Sequence, residues 1–160
     1  MFIRSERLIL DHLKSSDVES FFEITHNPQV KKYVRYAYSE TLCDAKKTLH
    51  TYTKYDDVND YSVAIRANIN TECYEKAELI GVLLFNRIGV CYEVCYFVKE
   101  SMQSKGYCTE ALKLFIQYLR NNDLYLKLFF EVAKSNAPSR KVLENLGFVT
   151  GDEQDFFYQV

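Results

Sequence analysis

The stretch from Glu93 to Ala111 carries the most chemistry in this chain. An apolar strand, Glu93-Val94-Cys95-Tyr96-Phe97-Val98, runs into a polar loop that ends Gln103-Ser104-Lys105-Gly106-Tyr107-Cys108, and an amphipathic helix follows. The first N–H groups of a helix have no intrahelical acceptor, and the peptide dipoles add partial positive charge at that end. A phosphate answers both needs. Gly106 brings no Cβ between backbone and ligand, and Lys105 adds a formal charge. The turn Gln103–Cys108 is therefore a candidate anion site. A tight turn relieved by Gly106 is the simpler structural alternative.

Other chemistries have less support. The five cysteines (Cys43, Cys73, Cys91, Cys95, Cys108) include no Cys-x-x-Cys pair, and the three histidines (His12, His26, His50) form no cluster. Zinc-ligand spacing is absent, so no metal is expected and the thiols read as reduced packing residues. With a net charge of −2 and a pI near 5.9, the chain has no global positive field to draw nucleic acid or an anionic membrane. Charges interrupt the opening Met1-Phe2-Ile3-Arg4-Ser5-Glu6-Arg7 before any apolar stretch develops, and no run is long enough to cross a bilayer. A cytoplasmic protein is expected.

The elements that must position the turn can be read from periodicity. The 160 residues, without repeat or linker, suit a single domain over 1–160. Phe2 to Leu10 reads as a first strand. Ser16 with Glu19 has the capping-box spacing, so a helix is expected to about Thr25, broken at Asn27-Pro28. A second helix is expected from Ser39 to about Tyr52. Strands follow at Tyr61–Ile65, Ala77–Phe85 and Val90–Val98, with a hairpin connection at Asn68–Glu75 and a turn at Arg87-Ile88-Gly89. A helix over Thr109–Arg120 buries Ala111, Leu112, Phe115, Ile116 and Leu119. Leu126–Val132 is a strand, Pro138 opens a helix that Gly147 ends, and Phe148–Thr150 and Phe156–Val160 close the chain. The fold class is mixed α/β (α+β), with a largely antiparallel central sheet and flanking helices.

Gln103-Ser104-Lys105-Gly106-Tyr107-Cys108 resembles the Gln/Arg-x-x-Gly-x-Gly/Ala motif of the GNAT superfamily of N-acetyltransferases. Three more stretches fit in the same order. Arg4–Leu10 is similar to the opening strand of the ribosomal-protein N-terminal acetyltransferase branch. Glu78-Leu79-Ile80-Gly81 resembles the strand before the long hairpin. Asn136–Phe148 resembles the Asn-x-x-Ser-x-x-x-Leu-x-x-x-Gly-Phe helix. The resemblance implies a splayed strand pair, Val90–Val98 and Leu126–Val132, with acetyl-CoA between. Phe97, Val98 and Lys99 would meet pantetheine through their backbones, and the N–H groups of Gln103, Ser104, Lys105, Gly106, Tyr107 and Cys108 would hold the pyrophosphate. Asn136 would contact pantetheine and Arg140 a nucleotide phosphate. Cys108 departs from the usual Gly or Ala, and Leu143 stands where many members carry a tyrosine acid.

Such an enzyme would move an acetyl group to a primary amine by direct attack. The branch suggests a protein or peptide N-terminus as acceptor. A small amine (aminoglycoside, polyamine or amino acid) and a non-catalytic acyl-CoA-binding module are the alternatives. Glu93 is the first candidate base, in an apolar setting between Val94 and Tyr92 that would raise its pKa. Glu131 is the runner-up. Ser139 is a candidate acid, or else a helix cap. Lys31-Lys32 and Lys46-Lys47 read as solvated helix faces, and His26 as a turn residue near the acceptor entrance.

Overall fold

The computed structural model describes residues 1–34, 36–54, 60–68, 77–122, 127–150 and 156–159. Cys73, most of the expected Asn68–Glu75 connection, Leu126 and Val160 lie outside the described residues. In chain order the elements are β1 (Ile3–Arg4), β2 (Leu8–Asp11), α1 (Val18–Thr25), α2 (Pro28–Tyr33), α3 (Leu42–Thr53), β3 (Asp60–Ala67), β4 (Leu79–Ile88), β5 (Cys91–Val98), α4 (Tyr107–Asn121), β6 (Lys127–Glu131), α5 (Ala137–Asn145), β7 (Val149–Thr150) and β8 (Phe156–Gln159).

β4 explains the layering. It is buried from Leu79 to Phe85 without alternation, because helices cover both of its faces. On one face α1, α2 and α3 supply Phe21, Ile24, Val30, Ala45, Leu49 and Tyr52, packed on Val82, Leu84 and Phe97. On the other, α4 and α5 supply Leu112, Phe115, Ile116 and Leu143 against Leu83, Phe85, Val94 and Phe130. The rings of Phe85 and Phe115 lie 4.8 Å apart and tilted, a favourable aromatic contact. The sheet has eight strands in the order β1-β2-β3-β4-β5-β6-β8-β7. Every neighbouring pair is antiparallel except β5–β6.

Five expectations change. The first strand is a hairpin: Ser5 N donates to Leu8 O at 2.8 Å, and β1 folds back on β2. Ser16 and Glu19 form no reciprocal cap. The chain enters α1 through a 3-10 turn at Ser15–Asp17, where the Asp17 carboxylate accepts from Lys14 N at 2.8 Å. Asn27-Pro28 starts an element as well as ending one. Asn27 Oδ1 accepts from Gln29 N at 2.8 Å, and Pro28 opens α2, where its missing N–H costs nothing. The helix expected from Ser39 begins at Leu42, capped reciprocally by Thr41 and Asp44. The turn after β4 falls on Gly89 and Val90.

Arg66 ties the sheet to the helical layer. Only 3% of its side chain is exposed. It donates to Asp11 Oδ1 at 2.7 Å, to both Asp17 oxygens at 2.8 Å and to His12 O at 3.3 Å. Every side of the guanidinium thus meets an acceptor, and Asp17 is fixed where α1 begins. Arg66→Leu would remove the cation that joins the two carboxylates and leave only the Lys14 ammonium, 3.6 Å from Asp11 Oδ2. Urea unfolding at pH 7 should show a loss of about 3–5 kcal/mol.

Candidate active site

The sheet parts at Glu93. β5 stays paired with β4 along its whole length, as far as Val98 opposite Gly81. Its parallel pairing with β6 holds only for Cys91–Lys127, Tyr92–Leu128 and Glu93–Phe129. Beyond that pair the two strands separate. Lys99 N donates to Ile80 O at 2.8 Å, and Lys99 O accepts from Met102 N at 2.9 Å. Antiparallel pairing alternates, so Phe97 and Cys95 also turn their backbone groups toward β4, while Val94, Tyr96 and Val98 turn theirs into the gap. Of Phe97, Val98 and Lys99, Val98 alone points its backbone groups that way. A cavity of about 440 Å3 lies at the fork, lined among others by Tyr33, Tyr36, Glu93, Tyr96, Glu131 and Ser139.

The turn after β5 leads from a 3-10 turn at Glu100–Met102 into α4. Gln103 N already donates to Glu100 O at 3.1 Å. The N–H groups of Ser104, Lys105, Gly106, Tyr107 and Cys108 have no partner among the described residues, and the next helical bond begins at Glu110 N. Ser104 (φ 59°) and Gly106 (φ 80°) both adopt left-handed backbone, which curls these amides together. A Cβ on Gly106 would only approach Arg7 Nη2, at 3.8 Å, so conformation and not space calls for glycine here.

Arg7 braces the turn from the first hairpin. Its Nη1 donates to Lys105 O at 3.2 Å, its Nε to Glu110 Oε2 at 2.8 Å, and its Nη2 forms an ion pair with the same carboxylate. The guanidinium also lies over the Tyr107 ring, and Ser5 Oγ donates to Glu110 Oε1 at 2.7 Å. Nothing in the sequence pairs positions about a hundred residues apart, so this brace could not be found there.

At the other wall Asn136 caps α5, accepting from Ser139 N at 3.4 Å. Ser139 is therefore not the cap of this helix. Its Oγ donates to Tyr96 Oη at 2.8 Å, and the Tyr96 O–H donates to Ser139 O at 2.8 Å. Burial raises the Tyr96 phenol, so it stays protonated. Arg140 donates to Val132 O at 3.4 Å. Burial pushes the Cys108 thiol up to about 12, which leaves it a packed, protonated group and a poor nucleophile at neutral pH.

Glu93 stands at the fork itself. Its Oε2 accepts from Asn86 Nδ2 at 3.3 Å, and Asn86 Oδ1 accepts from Tyr52 at 3.0 Å. Glu131 is exposed on the cavity rim. Two tyrosines span the opening: Tyr33 donates to Ser135 O at 3.3 Å, and Tyr36 to Cys95 Sγ at 2.9 Å. Both were missed from the sequence, where Tyr33 follows two lysines and reads as helix surface. Lys31, Lys32, Lys46 and Lys47 are exposed as expected, and Lys32 also lines the cavity beside Tyr33. His26 is an exposed residue at the end of α1, and its Nδ1 lies 2.9 Å from Ser39 O. Among the described residues no three His, Cys, Asp or Glu side chains converge on a metal position. No helix there is long and apolar enough to cross a membrane.

A mixed sheet parted beside a strand–turn–helix with unpartnered amides is the arrangement that the GNAT resemblance implies. The chain belongs to the GNAT acetyltransferase family, whose domain matches residues 7–149. It is similar to the N-acetyltransferase YnaD of Bacillus subtilis, with 25% identity over 151 residues, covering 92% of this chain and 82% of that one. The fold is shared with a GNAT acetyltransferase of Bacillus anthracis (TM-score 0.79, 22% identity, 99% and 96% of the two chains). It is also shared with RimL, a ribosomal L7/L12 alpha-N-protein acetyltransferase solved with coenzyme A (TM-score 0.82, 15% identity, 100% and 98%). An acetyltransferase of Salmonella typhimurium that modifies the N-terminal serine of L7/L12 matches at TM-score 0.79, 14% identity, over 100% and 99%. The protein is an N-acetyltransferase, and acetyl-CoA is the donor its family uses.

Two outcomes test this geometry. Iodoacetamide at pH 7.5 should modify the exposed Cys43 and spare Cys108, as followed by peptide mass spectrometry, with Cys108 labelling rising only as the pH climbs toward 12. Arg7→Ala should weaken coenzyme A binding about ten-fold, about 1.4 kcal/mol by calorimetry, because the turn loses its brace.

Proposed function

We propose that this enzyme acetylates the free α-amine of a protein or peptide, with acetyl-CoA held between β5 and β6. The observation that carries the reading is the fork at Glu93, with unpartnered amides at the turn on one side and a carboxylate at the apex. The residues fit the cofactor. The amides of Ser104, Lys105, Gly106, Tyr107 and Cys108 suit a pyrophosphate, with Gln103 flanking them. Val98, with Phe97 and Lys99 beside it, offers backbone groups to the amides of the pantetheine arm, which docks like an added strand. Asn136, which lines the cavity, would contact pantetheine, and Arg140 would meet a nucleotide phosphate.

When bound, acetyl-CoA supplies an acyl group activated as a thioester. The chain's own residues do the rest. Glu93 takes the proton from the incoming ammonium, directly or through one water. Glu131, at the rim, is the second candidate for that task. Ser139, oriented by Tyr96, is the candidate to protonate the coenzyme A thiolate as it leaves, its own hydroxyl proton being replaced from solvent. Holding both substrates in one cavity supplies much of the rate by proximity. The chain acts as a single domain over 1–160, in the cytoplasm where acetyl-CoA and new N-termini meet.

The preference for an N-terminus is supported by neighbours whose names assign them ribosomal-protein N-termini. A screen of free thiol release with a peptide beginning with serine, spermidine and kanamycin tests it. The peptide should turn over fastest. Faster turnover of spermidine or kanamycin favours a small-amine enzyme, and coenzyme A binding without any turnover favours a binding module. Glu93→Gln should lower kcat about 100-fold or more while coenzyme A affinity stays unchanged. Unchanged turnover would remove Glu93 from the mechanism.

A further inference from the structure

Glu93 is held by a chain of two side chains from other elements. Asn86 lies directly opposite it in the β4–β5 register. An asparagine can present either its oxygen or its NH2 to a neighbour. Here the Tyr52 hydroxyl donates to Oδ1 at 3.0 Å, which leaves Nδ2 facing Glu93 Oε2 at 3.3 Å. Tyr52 is itself fixed: it is 9% exposed near the end of α3, and its carbonyl accepts from Ser62 Oγ at 2.9 Å. The order Tyr52, Asn86, Glu93 therefore runs from α3 across β4 to the apex of the fork. An ionised carboxylate only accepts hydrogen bonds, so a donor aimed at it fixes how its oxygens are turned.

We propose that Asn86 and Tyr52 are positioning residues that orient the Glu93 carboxylate for acetyl transfer. The inference rests on the reading of Glu93 as the base. Neither residue need touch the amine, since Asn86 acts through Glu93 and Tyr52 acts through Asn86. Among the described residues, the other titratable groups lining this cavity are Tyr36 between α2 and α3, Cys95 on β5, Tyr33 and Lys32 on α2, Tyr96 on β5 and Glu131 on β6. Tyr36 donates to Cys95 and not to Glu93, so among the described residues Asn86 is the side-chain donor to this carboxylate.

The test is a set of coupled variants: Asn86→Leu, Tyr52→Phe, both together, and each in Glu93→Gln. The readout is kcat/KM against pH with the fastest amine of the screen. Asn86→Leu should lower kcat/KM about ten-fold and move the acid limb of the profile to higher pH, with the KM for acetyl-CoA unchanged. Tyr52→Phe should have a smaller effect in the same direction. The double variant should match Asn86→Leu alone, and neither change should matter in Glu93→Gln, because residues acting in series are not additive. Additive losses, an unmoved acid limb, or losses that persist in Glu93→Gln would overturn the proposal. Full turnover in Glu93→Gln alone would remove the base and this role with it. A slow Glu93→Gln beside an indifferent Asn86→Leu would remove only the positioning role.

A second measurement needs no acceptor. In 15N-labelled protein the side-chain amide signal of Asn86 should move between pH 8 and pH 4, and this movement should vanish in Glu93→Gln. A signal indifferent to Glu93 would overturn the contact on which the proposal stands.

Discussion

The active-site gap exists because β5 is bound more firmly to β4 than to β6. Two contacts hold it there. At Gly81 a Cβ would lie 2.6 Å from Val98 Cγ1 and 2.7 Å from Phe97 O, so only glycine lets the end of β5 come this close. One residue beyond β5, Lys99 N donates to Ile80 O, while its buried ammonium reaches Glu23 Oε2 at 2.6 Å and Glu78 Oε1 at 2.7 Å. Burial works against that charge, but the two carboxylates outweigh it and raise the Lys99 pKa, so the cation persists. α1, β4 and β5 thus meet at one point. β6, paired on its other side with β8, is free to diverge. The open backbone groups of β5 and the exposed amides of the turn both follow from that divergence.

The same division explains which parts of the fold could be read from the sequence. The apolar stripe of α4, Ala111-Leu112-Phe115-Ile116-Leu119, is local and periodic, and it is buried as expected. The run Leu79–Phe85 is apolar throughout because both its faces are covered. Local signals were misleading where tertiary contacts chose among local options. Ser16 had cap spacing, but Arg66 holds Asp17 and sets the turn there instead. Asn27-Pro28 is equally a stop and a start, and the packing of Val30 into the helical layer decides for a start.

The site divides in the same way. The turn was legible because strand, glycine and helix start are neighbours in sequence. Its supports were not. Arg7 and Glu110 meet across 103 positions, Tyr33 and Ser135 across 102, and Tyr52 and Asn86 across 34. None of these residue types is unusual at its position, and pairing them requires the register of the sheet. Phe97, Val98 and Lys99 show the limit from the other side. The strand is legible from its apolar run, but which residues turn toward the gap depends on the alternation set by the β4–β5 hairpin, and one step of register reverses it.

The leucine at 143 then follows from how α5 lies. Leu143 is fully buried beside Phe130 and Phe148, so a tyrosine hydroxyl there would enter apolar surroundings. Ser139 is one helical turn earlier on the same face, since residues four apart share a side of a helix. That turn reaches the cavity, where Ser139 meets Tyr96. The hydroxyl nearest the fork on α5 therefore belongs to a short side chain in its first turn, supported by a phenol from β5. Sealing the core at Leu143 and presenting a hydroxyl at Ser139 are compatible because the helix face passes from apolar packing into the cavity between those two positions.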